Sequence, residues 1–262
     1  MHATASTKTL PALELRGVAV NSMRDVSVVT VEEVNWSVAA GEFWVIGGLQ
    51  GSGKRDLLML AGGMAAPAAG EYFFSGHAMP IFEGEHAAER LRVGYVFDGG
   101  QLLNHLTVAE NIALPLRYHK NLADADTETA VRRMLELTEL VTFADSTPGA
   151  ITRAWRKRVG LARALMLQPD VLLLDNPLSG LDARQGGWWL NFLGGLSQGG
   201  ELTGGKPMTL IVTTEDFRPW RNCARQFAVL KDRRFTVLGN VEQLEAASAE
   251  LVQELSAAPQ SA

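Results

Sequence analysis

The sequence predicts an α/β fold built on a parallel sheet. Short, almost wholly apolar runs, "EFWVIGGL", "RVGYVF", "VLLLDNP" and "TLIVTTE", alternate with segments whose apolar residues recur at helical spacing. Hydrophobic residues make up 47% of 262 positions, enough to bury such strands on both faces. The run "EFWVIGGL" also passes through glycines straight into the helical pattern "KRDLLMLAGGM", a strand, tight loop and helix in succession.

Taken in order, "LELRGVAV" and "VVTVEEVNWSV" alternate apolar and polar residues and predict antiparallel strands. A helical insertion is expected near residues 99 to 160. Its segment "TVAENIALPLRYH" opens with Thr107 as N-cap and Glu110 three residues on, a capping box. "TETAVRRMLELTELV" and "KRVGLARALMLQ" predict two further helices. "GGLSQGGELTGGK" reads as a mobile loop. An amphipathic helix near Val241 to Leu255 and a disordered tail "SAAPQSA" close the chain.

The net charge of -5 gives no basis for expecting a nucleic-acid partner. The single Cys223 rules out an intramolecular disulfide framework and reads as a small buried hydrophobe or plain thiol. No apolar run reaches the roughly 18 residues of a membrane span, and the start "MHATASTKTLPALEL" lacks a signal peptide's apolar stretch. The expectation is a cytoplasmic protein that reaches a membrane only through a partner.

Chemistry concentrates at "GLQGSGKR". Gly48 to Lys54 fits the phosphate-binding pattern G-x-x-x-x-G-K-[ST], but Arg55 stands where Ser or Thr would hold a magnesium ion. Gly48, Gly51 and Gly53 permit a close turn. The backbone N–H groups around Ser52 and the helix start can cradle phosphates, and Lys54 can reach the terminal ones. Asp175 ends an apolar strand, where a Walker-B acid would approach the metal.

Several motifs then follow in order: "GLQGSGK", "VGYVFD", "RVGLARAL", "PDVLLLDNPLSGLD" and "LIVTTED". Their order and spacing along nearly the whole chain resemble the ATP-binding subunit of ABC transporters. The stretch "VGYVFDGGQLLNHLTVAENIALPLR" looks closest to lipid-transport cassettes of the Mla/MCE type. The resemblance implies a P-loop NTPase of ABC type, with a parallel core sheet, an antiparallel β subdomain and an inserted helical subdomain. Residues 1–98 and 161–240 would form the core with its N-terminal β subdomain, 99–160 the helical subdomain, and 241–262 a C-terminal helix and flexible tail. It also implies a transmembrane permease partner, a homodimer or a heterodimer with a second cassette, and a peripheral place on the inner membrane face. ATP is the implied cofactor, with or without magnesium; an empty loop is the alternative.

The resemblance also exposes departures. The glutamine expected after "VGYVF" is Asp98, the glutamate after Asp175 is Asn176, and the switch histidine is Thr214. An amide cannot take a proton at neutral pH, so Asn176 cannot serve as general base. The signature "LSGGQ" is matched by Ile151, Thr152, Arg153, Ala154 and Trp155; Arg153 and Ala154 replace two glycines. An aromatic that would stack on adenine is expected near Val20 and none is there. Asp182 and the "SGLD" turn persist. No catalytic residue is therefore expected, and no metal unless at Asp175.

Without a metal, Asp175 and Asp98 would repel one another. The sequence thus suggests that Arg55 substitutes for magnesium and bridges Asp175, Asp98 or both, the alternative being a side chain swung into solvent. Thr152 could donate to a partner's nucleotide, while Arg153 is expected on the surface or as an arginine finger, and Trp155 packed. Leu102, Leu103 and Leu106, within Gly99 to Leu116, form either a permease-docking face or subdomain core. Three functions stay open: a degenerate transporter subunit with a structural or regulatory role, a slow active ATPase, and a soluble regulator. The about 120 residues between the two Walker motifs cannot hold the long coiled coil of repair-type relatives, which favours the transporter class.

Overall fold

The computed structural model describes residues 10–79, 87–120 and 124–257. Strands β1 (Leu13–Asn21) and β2 (Val29–Val38) pair antiparallel, with Leu13 opposite Val38 and Val18 opposite Val34. Their inward residues Leu13, Leu15, Val18, Val31, Val34 and Trp36 are buried, as the alternating pattern requires. Val20 is also buried in this core, so its side chain is spent on packing. β4 (Ala69–Phe74) and β5 (His77–Met79) extend the antiparallel sheet beyond β1. Neither stands out in the sequence, because β4 opens on exposed Ala-Gly-Glu and β5 has only three residues.

The core is parallel, in the order β9-β3-β8-β7-β6. Its strands are β3 (Phe43–Gly47), β6 (Val93–Val96), β7 (Val171–Leu174), β8 (Thr209–Thr214) and β9 (Gln226–Lys231). β10 (Arg234–Gly239) runs antiparallel to β9 and meets β2 at Arg234 and Glu32, joining both halves into one ten-stranded sheet. Period-two alternation sends neighbouring residues to opposite faces. Phe43, Val45, Leu172 and Leu174 join one apolar cluster, while Trp44, Ile46, Val171 and Leu173 join the other.

Helix α1 (Lys54–Ala61) lies on the second face through Leu57 and Leu58, and α2 (Ala87–Arg90) leads into β6. On the first face lie α3 (Val108–His119), α4 (Asp124–Leu137), α5 (Arg153–Leu165) and α6 (Ala183–Ser197). The capping box at α3 is present: Thr107 Oγ1 accepts from the Glu110 N–H at 3.2 Å and Glu110 Oε2 accepts from the Thr107 N–H at 2.7 Å. Buried Asn111 bonds both backbone groups of Leu103, fixing the loop before α3.

The expected division between residues 160 and 161 falls within α5. Two expectations need correction. The glycine-rich stretch is not an open loop. Its first residues are the last turn of α6, and the rest folds back through Gly200 N–H to Gly195 O, Gly205 N–H to Gly200 O and Met208 N–H to Leu196 O. The C-terminal helix is two helices, α7 (Val241–Ala246) and α8 (Glu250–Ser256), because Ala247 and Ala249 are extended. The tail "SAAPQSA" lies, from residue 258 on, outside the described residues.

Candidate functional site

β3 and β7 carry their carboxyl ends to the same edge of the sheet, where ligands bind in open α/β folds. β3 delivers Gly47 and the glycine loop; β7 delivers Asp175. Gly51 and Gly53 both have left-handed φ, of 81° and 92°, which only glycine adopts at no steric cost. A Cβ at Gly53 would sit 2.8 Å from Val31 Cγ2, so the loop is pressed against the start of β2. Nothing lies within 4 Å of a Cβ built at Gly51, so the loop is open there. Gly48 is closed by Leu230 O and by Ser52 Oγ, each 2.7 Å from its notional Cβ.

Lys54 is buried, and its ammonium donates to Gly48 O at 2.5 Å and Leu49 O at 2.7 Å. It therefore rests on the carbonyls of its own loop. Burial pulls its pKa below the usual lysine value, against the opposing pull of Glu215 and Asp175.

Arg55 Nε donates to Asp175 Oδ2 at 2.6 Å. Burial would lower the Arg55 pKa, but the charge and hydrogen bond of Asp175 outweigh it and raise it. Asp175 is held from its other side by Thr213 Oγ1, which donates to Oδ1 at 3.2 Å and accepts from the Asn176 N–H at 3.0 Å. Arg55 is 54% exposed and Asp175 7%. With the guanidinium half in solvent, the pair contributes on the order of 1 kcal/mol or less. The attraction is thus not what would exclude a metal. A divalent ion about 4 Å from a guanidinium would meet a repulsion of roughly 2 kcal/mol even at the dielectric constant of water. It would also lack the loop hydroxyl that normally ligates it. The residues fit a phosphate group, through the open glycine turn and the N–H groups at the start of α1. They do not fit a metal ion.

Asp98 does not join Arg55. It is paired within the chain with Arg153 Nη2 at 2.7 Å and Lys157 Nζ at 2.8 Å. Of the expected alternatives, Asp175, Asp98 or both, Arg55 takes Asp175 alone. Two cations on successive turns of α5 satisfy Asp98 instead. Burial would raise the Asp98 pKa, but Lys157 and Arg153 outweigh it and hold it below 3.8. A depressed carboxylate stabilises the fold above its unfolded value and loses that contribution as pH falls through its folded one. The stability advantage of the wild type over Asp98→Asn, read from urea unfolding midpoints, should be full at neutral pH and shrink below pH 3.8.

Arg153 is exposed and paired with Asp98 at the surface. Thr152 is exposed at the N-cap of α5 without a capping bond from its side chain, while Ile151 is buried and Ala154 half-buried. Trp155 is packed, its ring 4.7 Å from Phe143 and 4.5 Å from the Arg158 guanidinium. Arg158, in turn, lies 3.6 Å above Trp188, which stacks on Phe192, giving a continuous column from the 3-10 turn at Val141–Phe143 through α5 to α6.

Thr214 is buried and turned inward. Its hydroxyl accepts from the Asp216 N–H and Trp220 Nε1 and donates to Asp216 O. It closes a turn and contributes nothing to the glycine loop. Asp182 accepts from the Gln185 N–H as the N-cap of α6. Asn176 has φ 46°, a left-handed backbone that Asn tolerates better than most residues. Leu102 packs against the core, Leu106 is half-buried and Leu103 is 43% exposed. Cys223 is half-buried, with its pKa pushed up by burial to about 11, and reads as an inert thiol.

The residue that sequence reasoning missed is Lys157. Its side chain is 1% exposed, and its ammonium donates to Asn176 O at 3.0 Å and Ser179 O at 2.8 Å besides pairing with Asp98. The available signal was Arg153 and Lys157 one turn apart on α5, hence on one helix face.

The family model described as ABC transporter matches residues 31–179. The spermidine/putrescine import ATP-binding protein PotA of Trichodesmium erythraeum is 34% identical over 82% of this chain and 53% of its own length. The probable sulfate/thiosulfate import ATP-binding protein CysA of Chlorella vulgaris is 30% identical over 85% of this chain and 90% of its own. The chain spans about half the length of several curated relatives, 53% and 46% in two of them. The cassette MJ0796, solved as a dimer in a post-hydrolysis state with ADP and Pi, superposes with a TM-score of 0.73 at 27% identity, covering 85% of this chain and 95% of that one. CbiO1 of Clostridium perfringens, part of the cbiONQ transporter complex, shares the fold with a TM-score of 0.75 at 22% identity over 94% and 92% of the two chains. With the glycine loop on β3, the acid on β7 and these matches along most of its length, the chain belongs to the ABC transporter family as an ATP-binding cassette.

Proposed function

We propose that this cassette is a catalytically degenerate subunit of a membrane transport complex, which holds architecture or regulates an active partner and hydrolyses little or no ATP itself. The observation that carries the reading is Arg55 Nε on Asp175 Oδ2 at 2.6 Å, a guanidinium on the acid that would otherwise face the metal. Asn176 supplies no base, and the Thr214 hydroxyl is consumed in a turn. Nucleotide binding remains compatible with the loop: the N–H groups from Gly51 to Arg55 and the Lys54 ammonium would hold phosphates, and Arg55 would add the positive charge a metal usually brings.

Transport is the setting because the relatives are named as import ATP-binding proteins. Among the described residues no helix is long and apolar enough to cross a membrane, so a permease would supply the membrane passage. A groove of about 400 Å³ between β6, α3 and α5, lined by Phe97, Leu114, Pro115, Tyr118 and Leu167, is the face on which a permease segment would dock. Tyr118 there is 85% exposed. A lipid substrate of the Mla/MCE kind rests on the stretch from Val93 to Arg117 alone. Pairing with a second cassette, identical or active, completes the assembly.

The test is steady-state ATP turnover of the purified chain beside the MJ0796 cassette. Loss of a positioned base removes about a hundredfold or more, so the chain should run at least about a hundredfold slower. Magnesium-dependent turnover close to that of the relative would remove the reading.

A further inference from the structure

α5 is fastened to two neighbouring strand ends at once. Asp98 follows β6, and residues 176–179 follow β7. Arg153 Nη2 and Lys157 Nζ take the two oxygens of Asp98, at 2.7 and 2.8 Å. The same Lys157 ammonium donates to Asn176 O at 3.0 Å, Pro177 O at 3.3 Å and Ser179 O at 2.8 Å. One turn and a half further along, Arg163 Nη2 donates to Gly100 O at 2.8 Å. Gly160 lets the backbones touch, since a Cβ there would lie 2.8 Å from Gly100 Cα. α3 packs on α5, and α4 on α3.

We propose that Asp98, Arg153 and Lys157 form an internal latch, which holds α5 and the α3–α4 arm in one orientation against the sheet whether or not a nucleotide occupies the glycine loop. Any rotation of α5 away from the sheet would strand an ammonium that is 1% exposed, or leave a half-buried carboxylate without its cations. Neither consequence depends on a phosphate. The proposal deepens the reading of the chain as a fixed, non-hydrolysing subunit and takes its functional meaning from that reading, while its geometry stands apart from it.

The experiment measures the distance between arm and sheet by paired spin labels. In a Cys223→Ser background, labels go at Glu128→Cys on α4 and Lys231→Cys at the end of β9, both exposed positions. One narrow distance distribution is expected without nucleotide, unchanged by saturating ATP with magnesium or with EDTA. Asp98→Asn should broaden it, and should speed hydrogen exchange at residues 153–158 by about tenfold, the scale of one lost charge-assisted hydrogen bond. Exchange in β1 and β2 should not change. Arg153→Gln, at an exposed site and with Lys157 still on Asp98, should broaden the distribution less than Asp98→Asn does, in a fold left intact. A broad distribution without nucleotide, a shift on adding ATP, or no response to both variants would overturn the latch. Turnover read on the same sample separates the two claims. Hydrolysis with a narrow, ATP-insensitive distribution removes the functional reading and leaves the latch. No hydrolysis with a broad distribution does the reverse.

Discussion

Arg55→Ser should convert nucleotide binding from indifferent to magnesium to dependent on it. The substitution removes the guanidinium from Asp175 Oδ2 and places a hydroxyl one residue after Lys54, where phosphate loops hold their metal. The decisive term is the loss of cation–metal repulsion, roughly 2 kcal/mol at about 4 Å in the dielectric of water. The affinity for ATP with magnesium should therefore exceed that with EDTA by about tenfold or more in the variant, and by little in the wild type. Turnover should stay low, because Asn176 still offers no base. Adding Asn176→Glu to Arg55→Ser is the step that should raise it. If Arg55→Ser leaves binding equal in both conditions, the guanidinium is not what keeps the metal away.

Lys157→Met should destabilise the fold by roughly 3 kcal/mol, the scale for removing one partner of a buried ion pair. Three backbone carbonyls, of Asn176, Pro177 and Ser179, lose their donor, and Asp98 keeps only Arg153. Burial holds the Lys157 pKa below the usual lysine value despite Asp98. At this chain length the melting temperature should fall by roughly 6–12 °C. Arg153→Gln is the control. Its side chain is 53% exposed, so its pair with Asp98 should matter by less than about 1 kcal/mol. A change of under about 1 kcal/mol in Lys157→Met, measured by denaturant unfolding, would mean that Lys157 is no buried tie.

The parallel strands were legible because β3, β7 and β8 are apolar on both faces, and the glycine loop because only glycine accepts the φ at Gly51 and Gly53. That Arg55 would serve a strand-end acid followed from charge, since two such acids without a metal call for a cation, but which acid it takes did not. Where Asp98 goes could not be read that way. Its partners come from α5, and Lys157 looks like an ordinary surface lysine until tertiary packing covers it. α6 was hidden for a different reason. Gly186, Gly187, Gly194 and Gly195 each disfavour a helix by about 1 kcal/mol relative to Ala, but Trp189, Leu193 and Leu196 are buried against the sheet. Tertiary burial outweighed local propensity. β9 and β10 were missed too, the first being an apolar run bounded by charges and the second having no buried face.

The reading of this cassette as a subunit that hydrolyses little or no ATP leans on one claim, that Arg55 stands in for the metal. Calorimetric titration of the purified wild-type chain with ATP, once with magnesium and once with EDTA, tests it most directly. The account predicts equal affinity in the two titrations. Binding that appears only with magnesium would contradict it, because the ion would then be reaching Asp175 past the guanidinium.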